Sequence, residues 1–217
     1  NGGHGRALNN LGLMYVRGEG VAQDYERAAG LFADAAERGV AQAMTNLGVM
    51  YANGFGVPLD EARAEELTRM GARHGVDGAR DGPAMPLYDP RLAPPDTSPD
   101  GLAQLAEAAR AGDPVAQFQA GWLVLDRPDA PHRDLVGAAQ MLHAAADAGL
   151  PAAMANLGWM YYEGRGLPQD YVLGYMWLVL ASSAGLTEAA PLNAALSRHM
   201  APEQRAEAQA LAARRRD

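Results

Sequence analysis

The chain has 217 residues, no cysteine, 48% apolar residues and a formal net charge of −8. That length allows one large domain or two small ones with a buried core, and the missing thiols exclude disulfides, thiolate metal sites and a cysteine nucleophile. The acidic balance excludes the basic stripe that a nucleic-acid surface needs, so no nucleic-acid partner is expected.

Residues 1–7 line up with residues 37–43, so the chain is expected to open at the end of a preceding second helix, as a piece of a longer array. The first complete helix is expected over 7–17. There Ala7, Leu8, Leu11, Met14 and Tyr15 share one face at helical spacing. It should stop at Gly18-Glu19-Gly20, where glycine adopts positive φ without steric cost. Asp24 then stands where an N-cap carboxylate accepts backbone N–H bonds, and Ala28, Leu31, Phe32 and Ala35 mark the apolar face of a second helix ending at Gly39.

The same sentence is then written again. NNLGLMYVRGEGV from Asn9 returns as NLGVMYANGFGV from Asn46 and as NLGWMYYEGRGL from Asn156. Gly12 and Gly48, Asp24 and Asp60, and Gly39 and Gly75 keep one spacing, so the match is an internal repeat and not a single shared motif. Small residues such as Gly12 and Ala35-Ala36 favour close helix approach. The recurring Asp24, Asp60, Asp134 and Asp170 read as N-caps, not metal ligands, because each opens a helix and they lie a repeat apart. The Gly-x-Gly pairs follow a helix, whereas a dinucleotide loop follows a strand.

Residues 76–99 break the helical pattern, because Pro83, Pro86, Pro90, Pro94, Pro95 and Pro99 forbid regular helix. A helix resumes over 101–111 through Leu102, Leu105, Ala108 and Ala109. The segment reads as a repeat whose first helix has become irregular. Two outcomes are open: packing along the stack, for which Leu87, Tyr88 and Leu92 offer anchors, or a mobile linker between halves. A third unit follows, with Asp126-Arg127-Pro128-Asp129 in place of the Gly-x-Gly turn, and then the fourth. The apolar run 171–181, interrupted by Gly174, is too short to span a bilayer, and these residues show no signal-peptide pattern, although a part preceding residue 1 would be free to carry one. Residues 191–199 and 202–216 read as two helices that cap an open stack, with Arg214-Arg215-Arg216 at the negative pole of the last.

The pattern carried by Ala7, Leu11, Gly12, Tyr15, Gly18, Gly20, Val21, Asp24, Ala35, Ala36 and Gly39 resembles the Sel-one-like repeat, a relative of the tetratricopeptide repeat. It recurs at Ala43, Leu47, Gly48, Tyr51, Gly54, Gly56, Val57 and Asp60. It recurs again at Ala153, Leu157, Gly158, Tyr161, Gly164, Gly166 and Asp170, with Trp177 at the family's common tryptophan position. The third unit keeps Ala116, Gly121, Ala145, Ala146 and Gly149. The resemblance implies an all-α fold: an α/α solenoid, a right-handed superhelix of tandem helix-turn-helix repeats with a C-terminal helical cap. The expected division is 1–75 for repeats 1 and 2, 76–112 for the degenerate repeat, 113–186 for repeats 3 and 4 and 187–217 for the cap.

No catalytic constellation is legible. His4, His74, His132, His143 and His199 form no i,i+4 pair, and Ser182-Ser183 with His199 does not make a nucleophile and base. With no lysine and no cysteine, Schiff-base and phosphate-loop lysine chemistry is excluded as well. No enzyme activity, cofactor or metal is expected.

The other face of the first helices carries the candidate site. One position holds Asn10, Asn46, Gln119 and Asn156, its neighbour holds Asn9, Thr45, Phe118 and Ala155, and a third holds Leu13, Val49, Trp122 and Trp159. Tyr162 stands at a fourth position, with Val16, Ala52 and Leu125. In tetratricopeptide-like solenoids these helices line the concave face, so the resemblance implies a groove whose amides bond a peptide backbone and whose tryptophans anchor a partner. The competing reading has the amides satisfying loops and the tryptophans packing beneath the irregular segment or the cap. The expected function is a protein-interaction scaffold or adaptor for a peptide or protein partner. Binding of a cell-wall or other small ligand, and a self-associating homo-oligomeric spacer, are the alternatives. The composition, rich in Ala, Gly and Arg without Lys or Ile, suggests a bacterial source, and the resemblance alone tips the location towards the envelope.

Overall fold

A computed structural model describes residues 2–74, 85–127 and 134–216. Gly75, the first part of the irregular segment, Pro128-Asp129 of the altered turn and His132 lie outside the described residues. All regular structure among the described residues is helical: α1 (Gly2–Arg17), α2 (Tyr25–Glu37), α3 (Ala41–Asn53), α4 (Glu61–His74), α5 (Pro99–Arg110), α6 (Pro114–Asp126), α7 (Leu135–Asp147), α8 (Pro151–Glu163), α9 (Tyr171–Ser183), α10 (Ala189–Ser197) and α11 (Pro202–Arg216). None of these helices is long and apolar enough to cross a membrane. The chain divides into two compact units, one of Asn1–Arg80 with Gly164–Asp170, the other of Asp81–Glu163 with Tyr171–Asp217.

In the first unit α1 pairs with α2, α2 with α3 and α3 with α4. The N-cap reading holds at Asp24 and Asp60, whose carboxylates accept the backbone N–H of Arg27 and Arg63, each at 2.9 Å. The core gathers Leu13, Ala28, Ala29, Phe32, Leu47, Met50 and Leu67. Burying such a side chain contributes about 1.5–3 kcal/mol. The repeat glycines let the helices meet: a Cβ on Gly48 would stand 3.1 Å from the Ala64 carbonyl oxygen, and one on Gly71 would stand 3.1 Å from that of Ala41. Gly56, at φ +66°, lies against the backbone of Tyr25 and Glu26, so both its conformation and its lack of a side chain are required there.

Two expectations change. The first helix begins at Gly2 and not near Ala7, because Gly3 stays helical where the aligned Gly39 turns left-handed at φ +78°. Leu11 and Met14, expected in the core, are each 38% exposed, whereas the equivalent Leu47 is 5% exposed. Leu47 lies on α3, which packs against both α2 and α4, whereas α1 packs chiefly on α2.

In the second unit α5 packs on α6, α6 on α7, α7 on α8 and α8 on α9, and α10 and α11 both pack against α9. The caps follow the same chemistry: Ser98, Asp113 and Asp134 accept from Gly101, Ala116 and Gly137 at 3.1, 2.7 and 2.7 Å. Gly158 and Gly174 cross so closely that a Cβ on either meets the other's carbonyl oxygen at 2.9–3.0 Å. Trp177 is buried, with His143 edge-on at 5.4 Å and the Arg215 guanidinium 4.4 Å above its ring.

Candidate functional site

In each unit the first-helix stripe meets a non-helical stretch of the same chain. In the second unit that stretch is residues 85–98. Pro86, Pro90, Pro94 and Pro95 keep it from coiling, and the Met85–Pro86 peptide is cis. Asn156, fully buried on α8, brackets one residue of it. The side-chain amide donates to the Leu87 carbonyl at 2.7 Å, and its carbonyl accepts the Leu87 N–H at 2.9 Å. The same amide also donates to Ala152 of its own helix at 2.8 Å, so all its groups are engaged.

The next residue enters an aromatic seat. The Tyr88 ring lies 4.8 Å from Trp122 edge-on and 5.5 Å from Phe118. Its hydroxyl donates to the Ala93 carbonyl at 2.6 Å, and Gln119 on α6 donates to both oxygens at 2.8 Å. Beyond Tyr88 the stretch folds on itself. Asp89, only 5% exposed, accepts the Arg91 N–H and guanidinium, and its carbonyl accepts the Leu92 N–H. The hydrogen bonds from Arg91 hold the Asp89 carboxyl below the usual carboxylate range, against the opposing effect of burial. Trp122 Nε1 is buried and meets no acceptor among the described residues.

In the first unit the occupant is Gly164–Asp170, which follows α8 in chain order but belongs to this unit. Asn46 on α3, fully buried, accepts the Gln169 N–H at 2.6 Å, and Gln42, one turn earlier, donates to the Gln169 carbonyl at 3.1 Å. Asn9 on α1 completes the chain, accepting from Asn46 at 3.1 Å and donating to Gln42 at 3.3 Å. Beside them the Arg17 guanidinium takes both carboxylate oxygens of Asp170 through two of its nitrogens, with both side chains buried, and also meets Glu19 at 3.2 Å. Burial opposes the Arg17 charge, but the carboxylates of Asp170 and Glu19 outweigh it and hold the guanidinium above its ordinary value.

The stripe residues therefore fall into several places. Asn9 and Asn46 form one amide chain, and Phe118, Gln119, Trp122 and Asn156 line one groove. Leu13 and Val49 are buried in the first unit, Leu13 within its core cluster, while Asn10 is exposed. Trp159 is half-buried on α8. Tyr162 stands in an aromatic group with Tyr171 and His199, at ring separations of 5.8–6.2 Å. Gln42, Arg17, Gln169 and Asp170 join the site without having been singled out for it. Gln42 was within reach of sequence reasoning, since an amide four residues before Asn46 shares its helix face. Among the described residues no group of three or more His, Asp or Glu side chains is placed to hold a metal ion.

The Sel1 repeat profile matches residues 5–40, 41–76, 114–150 and 151–186, the greater part of the chain. A search of curated proteins returns no match. Among solved structures, the chain is similar to c5321, a protective antigen of uropathogenic Escherichia coli strains displaying an SLR fold. That similarity has a TM-score of 0.51 and 21% identity and covers 98% of this chain and 61% of that one. A Sel1 repeat protein from Oxalobacter formigenes matches at 29% identity and a TM-score of 0.33, over 85% of this chain and 42% of its own. The immunity protein Pa5087 from Pseudomonas aeruginosa matches at 19% identity and a TM-score of 0.35, over 97% and 81%. The chain thus spans less than two thirds of the length of the first two. Four matched repeats, built from paired helices with glycines at their crossings, place the chain in the Sel1 repeat family.

Proposed function

We propose that the chain is a protein-interaction scaffold, not an enzyme, and that its first-helix stripes bind extended polypeptide through main-chain groups. One observation carries this reading: a single buried side chain, Asn156, satisfies both the N–H and the C=O of Leu87 on a non-helical stretch. Recognition of that kind needs no particular side chain on the occupant, because every residue except proline offers both groups. The pairing of Gln169 with Asn46 and Gln42 repeats the chemistry with two amides instead of one. The aromatic seat of Phe118 and Trp122 adds the kind of anchor that dominates interfaces.

The test is site-specific photo-cross-linking in a bacterial lysate. A benzophenone amino acid is placed at position 159, on the stripe one turn from Asn156, and at position 140, exposed on α7. A partner trapped from position 159 and not from position 140 is the expected result. No adduct, or the same adducts from both positions, would refute the assignment of the stripe.

A further inference from the structure

We propose that the α6–α8 groove is the docking site of an extended partner segment bearing a tyrosine-like ring and a hydrogen-bond acceptor for Trp122, and that residues 85–98 are its intramolecular competitor. This rests on the scaffold reading and names the partner's chemistry.

Among the described residues, the hydrogen bonds and ring contacts that bind the stretch to the groove are few and localised. They are the two bonds from Asn156 to Leu87, the Tyr88 ring against Phe118 and Trp122, and the bonds from Gln119 to Tyr88 Oη and the Ala93 carbonyl. Apart from Ser98, which caps α5 and holds the segment's end there, its remaining hydrogen bonds among the described residues are internal. Tyr88 Oη to Ala93, Asp89 to Arg91 and Leu92, and Asp96 to the Ser98 N–H at 2.8 Å all travel with the segment if it leaves. The Asp89 charge is likewise paired within the segment, so release strands no charge in the groove. The prolines keep the free segment extended, which lowers the ordering cost of rebinding.

The fit is also incomplete at one defined atom. Trp122 Nε1 is buried beside Tyr88 and has no acceptor among the described residues. An unpaired buried donor carries an uncompensated desolvation cost, whereas an occupant that supplies an acceptor removes it. A partner with Tyr88's ring and such an acceptor therefore binds better than the chain's own segment, and the amide bracket accepts it whatever its other side chains are.

The probe is a synthetic peptide with the sequence of residues 85–98, followed by fluorescence anisotropy. Closed occupancy reduces apparent affinity by the fraction of open groove, so Tyr88→Ala, which frees the seat, should bind the peptide on the order of ten-fold or more tighter than wild type. Gln119→Ala in the Tyr88→Ala background should weaken it again. In isotopically labelled wild type, excess unlabelled peptide should speed hydrogen exchange at the Leu87 amide and leave α10 and α11 unchanged. This second measurement holds even if Tyr88→Ala misfolds. Peptides selected from a library with a fixed Leu-Tyr pair should share an acceptor side chain at one offset from the tyrosine and shift the Trp122 indole N–H resonance. Equal affinity for wild type and a folded Tyr88→Ala variant, or a Leu87 amide still protected with peptide bound, overturns the competition. Selected peptides without a shared acceptor overturn the requirement at Trp122. If these fail while position 159 still traps a partner, the scaffold reading stands alone; if trapping fails too, both fall.

Discussion

The closest test of the repeat packing compares two glycines in the first unit. Gly48 faces α4, where an added Cβ would lie 2.8 Å from Thr68 Oγ1 and 3.1 Å from the Ala64 carbonyl oxygen. Thr68 cannot simply rotate away, because its hydroxyl donates to that same carbonyl at 2.8 Å. The approach is mutual: Gly71 on α4 faces Thr45 and Ala41 of α3 in the same way. Gly30 on α2 has nothing within 4 Å. Replacing a helical glycine by alanine gains about 1 kcal/mol of helix propensity. At Gly30 that gain stands, so Gly30→Ala should stabilise by about 0.5–1 kcal/mol. At Gly48 the helices must separate by a few tenths of an ångström, and such overpacking costs about 1–3 kcal/mol. Gly48→Ala should therefore lose about 1 kcal/mol net, and Gly48→Val, with two more methyls and β-branching, about 3 kcal/mol. A change of 1 kcal/mol moves Tm by roughly 2–4 °C for a chain of this size. Thermal melts followed by circular dichroism should move in opposite directions for the two alanine variants. A Gly48→Ala variant that gains as much as Gly30→Ala would refute the close crossing of α3 and α4.

Arg17→Leu leaves the buried Asp170 carboxylate without its guanidinium and should cost about 3–5 kcal/mol in urea denaturation, part of it recovered by adding Asp170→Asn. Asp24→Ala removes the acceptor for the Arg27 N–H and should cost about 1 kcal/mol, read from the same denaturation curves. Burial, with smaller contributions from Tyr162 and Glu163, pushes the Tyr171 hydroxyl up to about 12. The unfolded chain ionises this phenol near its ordinary value of about 10, so between about pH 10 and 12 it holds fewer protons than the fold, and stability falls as pH rises by at most about 1.4 kcal/mol per pH unit. In an absorbance titration at alkaline pH, Tyr171→Phe should remove a phenol that ionises near pH 12 and flatten that decline.

Helix pairing was legible because its causes are local and written in residue type. Leu47 and Gly48 side by side say that one helix face is apolar and another must be bare, and the crossing with Ala64 and Thr68 answers both. The caps at Asp24, Asp60 and Asp134 were legible for the same reason, since carboxylate and N–H lie three residues apart. Asp170 occupies the same repeat position and looks identical in sequence, and its carboxylate in addition meets a guanidinium 153 positions away. Nothing in the local pattern separates it from the other three. Leu11 shows the matching limit for burial: periodicity says which face is apolar, but not whether a neighbour covers it.

The occupied groove was hidden for a different reason. The prolines in 85–98 forbid a helix, and Leu87 and Tyr88 offer anchors, so packing could be read as one of two outcomes. What could not be read is that Asn156 would bond to main chain. A side-chain code has no letter for a peptide group, and Leu87 is bound by its N–H and C=O, which leucine shares with nearly every other residue. The recurring amide at this repeat position was ambiguous between satisfying a loop and holding a partner. Under the proposed function these are one chemistry: a groove that holds its own non-helical segment by the backbone would hold a foreign one the same way. On that proposal discrimination comes from the few groups that read side chains, the Phe118–Trp122 seat and the indole N–H left without an acceptor among the described residues, so a change of partner preference should track substitutions there and not at Asn156.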